Sequence, residues 1–315
     1  MNPRLRHRLE YLLVRAAAAA IQAVPYRVAL ALGWGVAAVI FYGFRYRVRE
    51  AQRRIRSVFG PELDSRRARD VAWRAWRNFC FGVVDMIRIP VSRPAWVKAV
   101  VEIEDPAALE ALTAHCRSGR GALVATCHMG SWEMAALAAM AYGIPLFSLA
   151  ARQKNPLVDA FINRMRQGTG FETLLRHGSV LKGIVRRIRA GKVMAILPDV
   201  RSPQPGLPIR FLGGEANIAG GLALIARLAG EPVFPCVMVR RGWTRHLYRV
   251  QAPVWPDPAA DRDADARRLT QAVFDVIDRA IRAEPDQWFW FNKRWILDPL
   301  PAPEPAAGGP PASAR

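Results

Sequence analysis

The hydrophobic pattern divides the chain into an apolar start, a basic helical stretch, an alternating region and a proline-rich end. Leu12 to Pro25 is apolar, interrupted by Arg15 and Gln22, and Val28 to Phe44 carries no charge at all. The second run has about 17 residues, the lower limit for crossing a bilayer. Residues 47–98 read as helical and basic, with Trp73, Trp76, Phe79 and Phe81 at packing positions. Asp105-Pro106 reads as a helix N-cap followed by proline at the first helical position, and that helix should run to about Ser118. An alternation follows. Short apolar runs predict strands over Ala122–Thr126, Ile144–Leu149, Lys192–Leu197, Val233–Val239 and Leu247–Val254. Helices are expected over Ser131–Tyr142, Asn155–Gly168, Ser179–Ala190, Ala216–Leu228 and Asp263–Ala283. Strands that are apolar throughout belong in a sheet covered on both faces. The expected fold is therefore α/β: a mixed, mainly parallel sheet flanked by helices, with a hydrophobic helical membrane anchor at the N-terminus. The expected divisions are 1–46 for the anchor, 47–298 for the catalytic domain and 299–315 for a disordered Pro/Ala-rich tail.

Charge changes this picture. The formal net charge is +20 over 315 residues. Such a field favours anionic partners: phospholipid head groups, phosphorylated substrates, an acidic carrier protein or nucleic acid. No nucleic-acid motif is present, and the aromatics do not interleave regularly with the basic residues, so no nucleic-acid partner is expected. Arginines flank the apolar start, from Arg4 to Arg15 before it and from Arg45 to Arg56 after it. The late start and trailing arginines argue against a signal peptide. Arginine-rich flanks favour membrane association, with the catalytic domain on the cytoplasmic side. A span and an interfacial anchor remain equally open. Cys80, Cys116, Cys127 and Cys236 are scattered, with neither metal-ligand spacing nor a disulfide-like framework. The five histidines are too dispersed for a metal site.

The chemistry concentrates in Ala125-Thr-Cys-His-Met-Gly-Ser-Trp-Glu133. His128 sits where a strand ends and can act as a general base. Glu133 lies just inside the following helix and can fix the tautomer of His128 and stabilise the imidazolium. The spacing works only if His128 precedes the helix and Glu133 reaches back across its first turn. Cys127 is a rival nucleophile, but side chains alternate along a strand, so it should face away from His128. Trp132 can wall a pocket. Trp288 and Trp290 read as packing or interfacial residues.

His-x-x-x-x-Glu after a strand resembles the signature of the lysophospholipid acyltransferase-like superfamily. The chain is most similar there to the bacterial lipid A biosynthesis acyltransferases, the lauroyl and myristoyl transferases. The resemblance runs from about residue 10 to 298. It includes Arg45-Tyr-Arg-Val-Arg, Ser57-Val-Phe-Gly-Pro-Glu62, Arg152-Gln-Lys-Asn-Pro-Leu-Val-Asp159, Gly191-Lys-Val-Met-Ala-Ile-Leu-Pro-Asp199, Ile209-Arg-Phe-Leu-Gly213 and Glu284-Pro-Asp-Gln-Trp-Phe-Trp290. It implies a membrane-associated enzyme at the bacterial inner membrane. Such an enzyme moves a fatty acyl chain from an acyl carrier protein or coenzyme A thioester to a hydroxyl of a lipid A precursor. No metal or other cofactor is implied. His128 and Glu133 would be the catalytic pair. Arg166 would be the functional arginine, with Arg164, two residues earlier, as the alternative. Asp199 and Arg152 would contact substrate, and Arg201 could pair with Asp199 or bind phosphate. Three departures bear on the acceptor, one being that Glu215-Ala-Asn-Ile-Ala lacks the threonine of the family pattern. The closing motif reads Trp290-Phe-Asn-Lys-Arg294 where the family has Trp-x-His-Arg-Arg, and a family asparagine in the early basic helix is replaced near Arg54. Another glycolipid, phospholipid or aminolipid acceptor is therefore the alternative. A non-enzymatic basic membrane-binding or nucleic-acid-binding protein is a remote one.

Overall fold

The structure is a computed structural model that describes residues 3–150, 153–175 and 180–299. Two N-terminal helices, α1 (Pro3–Ala23) and α2 (Tyr26–Ala38), form a hairpin, and α2 continues through a π-helical segment, Val39–Phe44. The basic stretch folds into α3 (Val48–Phe59), α4 (Ser65–Arg88) and α5 (Pro94–Val100). Then come β1 (Val101–Ile103), α6 (Pro106–Arg117), β2 (Ala122–Ala125), α7 (Trp132–Ala141), β3 (Leu146–Ala150), α8 (Pro156–Gln167), β4 (Glu172–Leu175) and α9 (Val180–Arg189). The last part holds β5 (Val193–Ile196), β6 (Leu207–Phe211), β7 (Gly214–Ile218), α10 (Gly221–Ala229), β8 (Val233–Arg241), β9 (Arg245–Val250) and α11 (Arg262–Ala283). Seven strands form one sheet in the order β1-β9-β8-β2-β5-β3-β4. Every neighbouring pair is parallel except β8–β9. The expected α/β class, with a mixed and mainly parallel sheet, is what the chain forms.

Strand alternation builds the two layers. Leu123, Ala125 and Cys127 face a core shared with α4, α9, α10 and α11. Ala122 and Val124 face the opposite core, under α5, α6 and α7. The expected helix Ala216–Leu228 is shortened. Gly214–Ile218 pairs with Leu207–Phe211 as a hairpin, and the helix begins only at Gly221. Leu212 and Gly213 carry positive φ, 51° and 82°, in the turn that closes the hairpin. The expected tail lies almost wholly outside the described residues.

The N-terminal hairpin is packed on α4. Ala29, Leu30, Gly33, Ala37 and Phe41 bury one face of α2 and its extension, and α2 lies along α4. Val28, Leu32, Trp34, Val36, Val39, Tyr42 and Phe44 remain exposed. Tyr26–Phe44, with mean hydropathy 1.6, is long and apolar enough to cross a membrane by length and composition. A buried ion pair locks the hairpin down. Arg240 on β8 meets Asp85 on α4, both wholly buried, and the Tyr26 hydroxyl donates to Asp85 Oδ1 at 2.6 Å. Arg240 also donates to the carbonyl of Trp243 at 2.6 Å. Removing one partner of such a pair leaves a buried charge uncompensated. Asp85→Ala should therefore lower unfolding free energy by about 3–5 kcal/mol in a chemical denaturation experiment. A loss under about 1 kcal/mol would show that the pair does not carry the junction.

Candidate active site

β2 and β5 are neighbouring parallel strands in register, Ala125 opposite Ile196. Three residues beyond each partner lie His128 and Asp199. Both residues sit in the middle of a three-residue turn: Met129 N–H donates to Cys127 O at 2.7 Å, and Val200 N–H donates to Pro198 O at 2.8 Å. The paired turns put the two side chains face to face at the carboxyl edge of the sheet, where α/β folds form ligand sites. Gly130 closes the His128 turn. Its φ is +58°, and a Cβ there would lie 2.0 Å from the Met238 carbonyl, so no other residue fits.

His128 Nδ1 is 2.8 Å from Asp199 Oδ1. A carboxylate only accepts, so Nδ1 carries the proton, and in the neutral imidazole Nε2 is the acceptor. Asp199 Oδ2 accepts from the His128 backbone N–H at 2.8 Å and from Trp288 Nε1 at 2.9 Å. Asp199 is fully buried. The ring of His128 stacks on Phe289, with centroids 4.5 Å apart and planes 21° apart, and meets Trp132 edge-on at 5.1 Å.

This differs from the expected pairing. Asp199, rather than Glu133, orients His128. Glu133, in the first turn of α7, instead forms an ion pair with Arg166 at the end of α8. The reason is local geometry. Asp199 is brought opposite His128 by strand register, whereas Glu133 faces α8 across the cavity. Arg166 and Arg164 are also separated: Arg166 lines the cavity and Arg164 is exposed. Arg201 is not among the donors to Asp199. Arg152 lies outside the described residues. Trp288 does more than pack, because its indole N–H holds the buried carboxylate. Trp290 packs, donating to Pro285 O at 2.6 Å. Cys127 faces the opposite core and is wholly buried, as alternation requires. Its burial, and secondarily Asp199, push its thiol well above the usual range. Among the described residues no group of side chains is arranged to hold a metal.

His128, Trp132, Glu133 and Arg166 open onto one cavity of about 500 Å³. It runs between α7 and the sheet, and Val124, Ala135, Leu146, Phe171, Met194 and Tyr248 make it mainly apolar. Its volume is that of an ordinary small-molecule site.

The segment that supplies Trp288 and Phe289 is held from outside. Gly130 N–H donates to Gln287 O at 2.9 Å. Buried Arg54 donates to the carbonyls of Trp290 at 2.8 Å and Asn292 at 2.6 Å. Phe291 stacks on Trp76 at 3.7 Å. Two of the three places where the sequence departs from the family pattern, the neighbourhood of Arg54 and Trp290–Arg294, are thus in direct contact.

A profile of the bacterial lipid A biosynthesis acyltransferases matches residues 1–296. The chain belongs to this family. Among curated relatives of this lipid A acyltransferase family member, the phosphatidylinositol mannoside acyltransferase of Mycobacterium tuberculosis (strain CDC 1551 / Oshkosh) is 27% identical over 197 residues. The match covers 60% of this chain and spans 59% of the length of that relative. The lipid A biosynthesis lauroyltransferase of Escherichia coli (strain K12) is 22% identical over 287 residues, 89% of each chain. The 1-acyl-sn-glycerophosphate acyltransferase of Thermotoga maritima superposes with a TM-score of 0.39 at 16% identity, covering 83% of this chain and 97% of that one.

The buried thiol of Cys127 should resist alkylation in this family member. Iodoacetamide at pH 8 should leave Cys127 unmodified until the chain is unfolded, as read by peptide mass spectrometry. Modification of Cys127 in the native protein would show that it faces the cavity instead.

Proposed function

We propose that this lipid A acyltransferase family member moves a fatty acyl chain from a thioester donor to a hydroxyl of a glycolipid at a membrane surface. The observation that carries the reading is the Asp199–His128 pair at the mouth of an apolar cavity. His128 Nε2 takes the proton of the acceptor hydroxyl as its oxygen attacks the thioester carbonyl carbon. Asp199 holds the tautomer and offsets the imidazolium. The tetrahedral intermediate collapses, the C–S bond breaks, and His128 returns its proton to the departing thiolate. Glu133 holds Arg166 beside the cavity, where its guanidinium stabilises the developing oxyanion. The cavity takes the acyl chain.

The donor in this reading is an acyl carrier protein or coenzyme A thioester, and the basic field suits either. The acceptor is a lipid A precursor or a related glycolipid. Relatives named for lipid A and for phosphatidylinositol mannoside support that class of acceptor. The surface is the cytoplasmic face of the bacterial inner membrane. Packing of α2 and its extension against α4 from Ala29 to Phe41 favours an anchor lying in the interface over a span. A crossing helix would have to strip that face from α4. The exposed Leu32, Trp34 and Val36 would then enter the lipid, with arginines at the head groups.

Purified protein given acyl-carrier or acyl-coenzyme A donors with a lipid A precursor or phosphatidylinositol mannoside should yield a product one acyl chain heavier by mass spectrometry. His128→Ala should lower turnover by roughly 10²–10⁴-fold. Asp199→Asn should cost a comparable factor, because an asparagine can hold the wrong tautomer. Normal turnover by folded His128→Ala would sink the mechanism, and Asp199→Asn at full rate would return the orienting role to Glu133.

For the anchor, Leu32→Ser with Val36→Ser should weaken cosedimentation with phosphatidylglycerol vesicles several-fold at unchanged thermal stability, since both side chains are exposed. Unchanged binding would place the membrane contact elsewhere.

A further inference from the structure

Thr126 lies two residues before His128, and both line the cavity. The residue is 5% exposed, and its Oγ1 has no hydrogen-bond partner among the described residues. Its backbone N–H is already given to Ile196 O at 3.0 Å. A buried hydroxyl without a partner destabilises the fold. Valine has the same branched shape and would fill the same place without that cost. Among the described residues, two such orphaned buried polar atoms belong to the cavity lining: Thr126 Oγ1 and Arg166 Nε. Both are donors, and both border the space that His128 enters.

We propose that the Thr126 hydroxyl is a further catalytic group: it donates to the thioester carbonyl oxygen and holds that oxygen as it becomes an oxyanion. The assignment rests on the acyl-transfer reading above. Thr126 follows the last residue of β2, His128 stands in the turn just beyond, and both line the one cavity, so their side chains share one space. Two hydrogen bonds of about 2.8 Å, one at His128 and one at Thr126, leave room between them for the reacting carbon. The acceptor hydroxyl loses its proton to His128 Nε2, and its oxygen bonds to that carbon. The carbonyl π pair moves onto the oxygen held by Thr126. When the pair returns, the C–S bond breaks and the thiolate leaves with the proton from His128. Arg166 supplies charge to the same oxygen, and Thr126 supplies direction. Every atom and electron pair in the step comes from the donor, the acceptor or His128.

The test compares Thr126→Val, which removes the hydroxyl and keeps the shape, with Thr126→Ser, which keeps the hydroxyl. Steady-state kinetics with an acyl thioester donor and thermal unfolding are measured for both. Thr126→Val should lower kcat by roughly 10²–10³-fold with little change in KM for the donor, the usual loss for one oxyanion donor. Its melting temperature should hold or rise, because an orphaned polar group is gone. Thr126→Ser should recover most of the lost turnover. Thr126→Val at wild-type kcat while His128→Ala is inactive would overturn the Thr126 assignment and leave the base in place. Wild-type turnover in both would overturn the His128 mechanism on which the assignment rests. A lower melting temperature in Thr126→Val, with turnover lost in proportion to unfolded protein, would also overturn the Thr126 assignment, because the hydroxyl would then serve the fold.

Discussion

The carboxylate of Asp199 is the constraint on which the rest of the site depends. It is fully buried and receives three donors: the ring and the backbone N–H of His128, and the indole of Trp288. A charge removed from water is tolerated only when its oxygens are bonded. Here the bonds come from two separate segments of chain, and Asp199 itself stands on a third. The end of β2, the end of β5 and the segment after α11 must therefore meet at one point. Register between β2 and β5 supplies the first half of that meeting. The aromatic segment supplies the second.

That segment ties the site to the helical layer. Arg54 on α3 and Trp76 on α4 hold its backbone and its rings. Asn78 on α4 donates to Asp286 O at 2.9 Å. The same α4 carries Asp85, which clamps Arg240 and Tyr26, and supports the buried face of α2. One helix thus backs both the closing segment over His128 and the apolar hairpin. On the acyl-transfer reading, an enzyme that takes one substrate from a membrane needs this rigidity. On that reading its cavity mouth stays at a fixed height relative to the exposed apolar residues of the hairpin.

Much of this was legible in the sequence, and the misses have physical causes. The strands β2, β5 and β8 are continuous apolar runs, β2 and β8 buried on both faces, and periodicity finds such runs directly. β1 is three residues long, and β4 begins with a glutamate that pairs with Arg187 and Lys192 on the surface. Neither carries enough apolar pattern. β7 was hidden because Ala216-Asn-Ile-Ala reads as the start of the alanine-rich helix behind it. The decision between strand and helix is made by its partner β6, a tertiary contact. His128 was found because it ends a strand in a rare local context. Its true partner was harder to see. Glu133 is five residues away, and Asp199 is 71 away in sequence. Proximity along the chain favoured the wrong carboxylate, while strand register, invisible in one sequence, favoured the right one. His128 and Asp199 nonetheless each stand three residues past paired strand positions. Trp288 and Phe289 read as packing because an aromatic run looks the same whether it covers a core or a site.

The two carboxylates make opposite contributions to one electrostatic design. Each is paired with a cation or potential cation: Asp199 with His128, and Glu133 with Arg166. The resting cavity therefore holds paired groups at its mouth and apolar groups along its walls, and an acyl chain can enter without meeting an isolated charge. On the proposed mechanism this balance shifts in a defined direction during acyl transfer. His128 gains a proton beside Asp199, and the carbonyl oxygen gains negative charge on the side of Arg166 and Thr126. Each new charge arises next to a group of opposite sign already fixed in place, so little reorganisation accompanies the step. Glu133 has to stay on Arg166 for this to work. If it turned to His128, Arg166 would be left unpaired beside the acyl pocket at rest, and the imidazolium would have two carboxylates where one suffices.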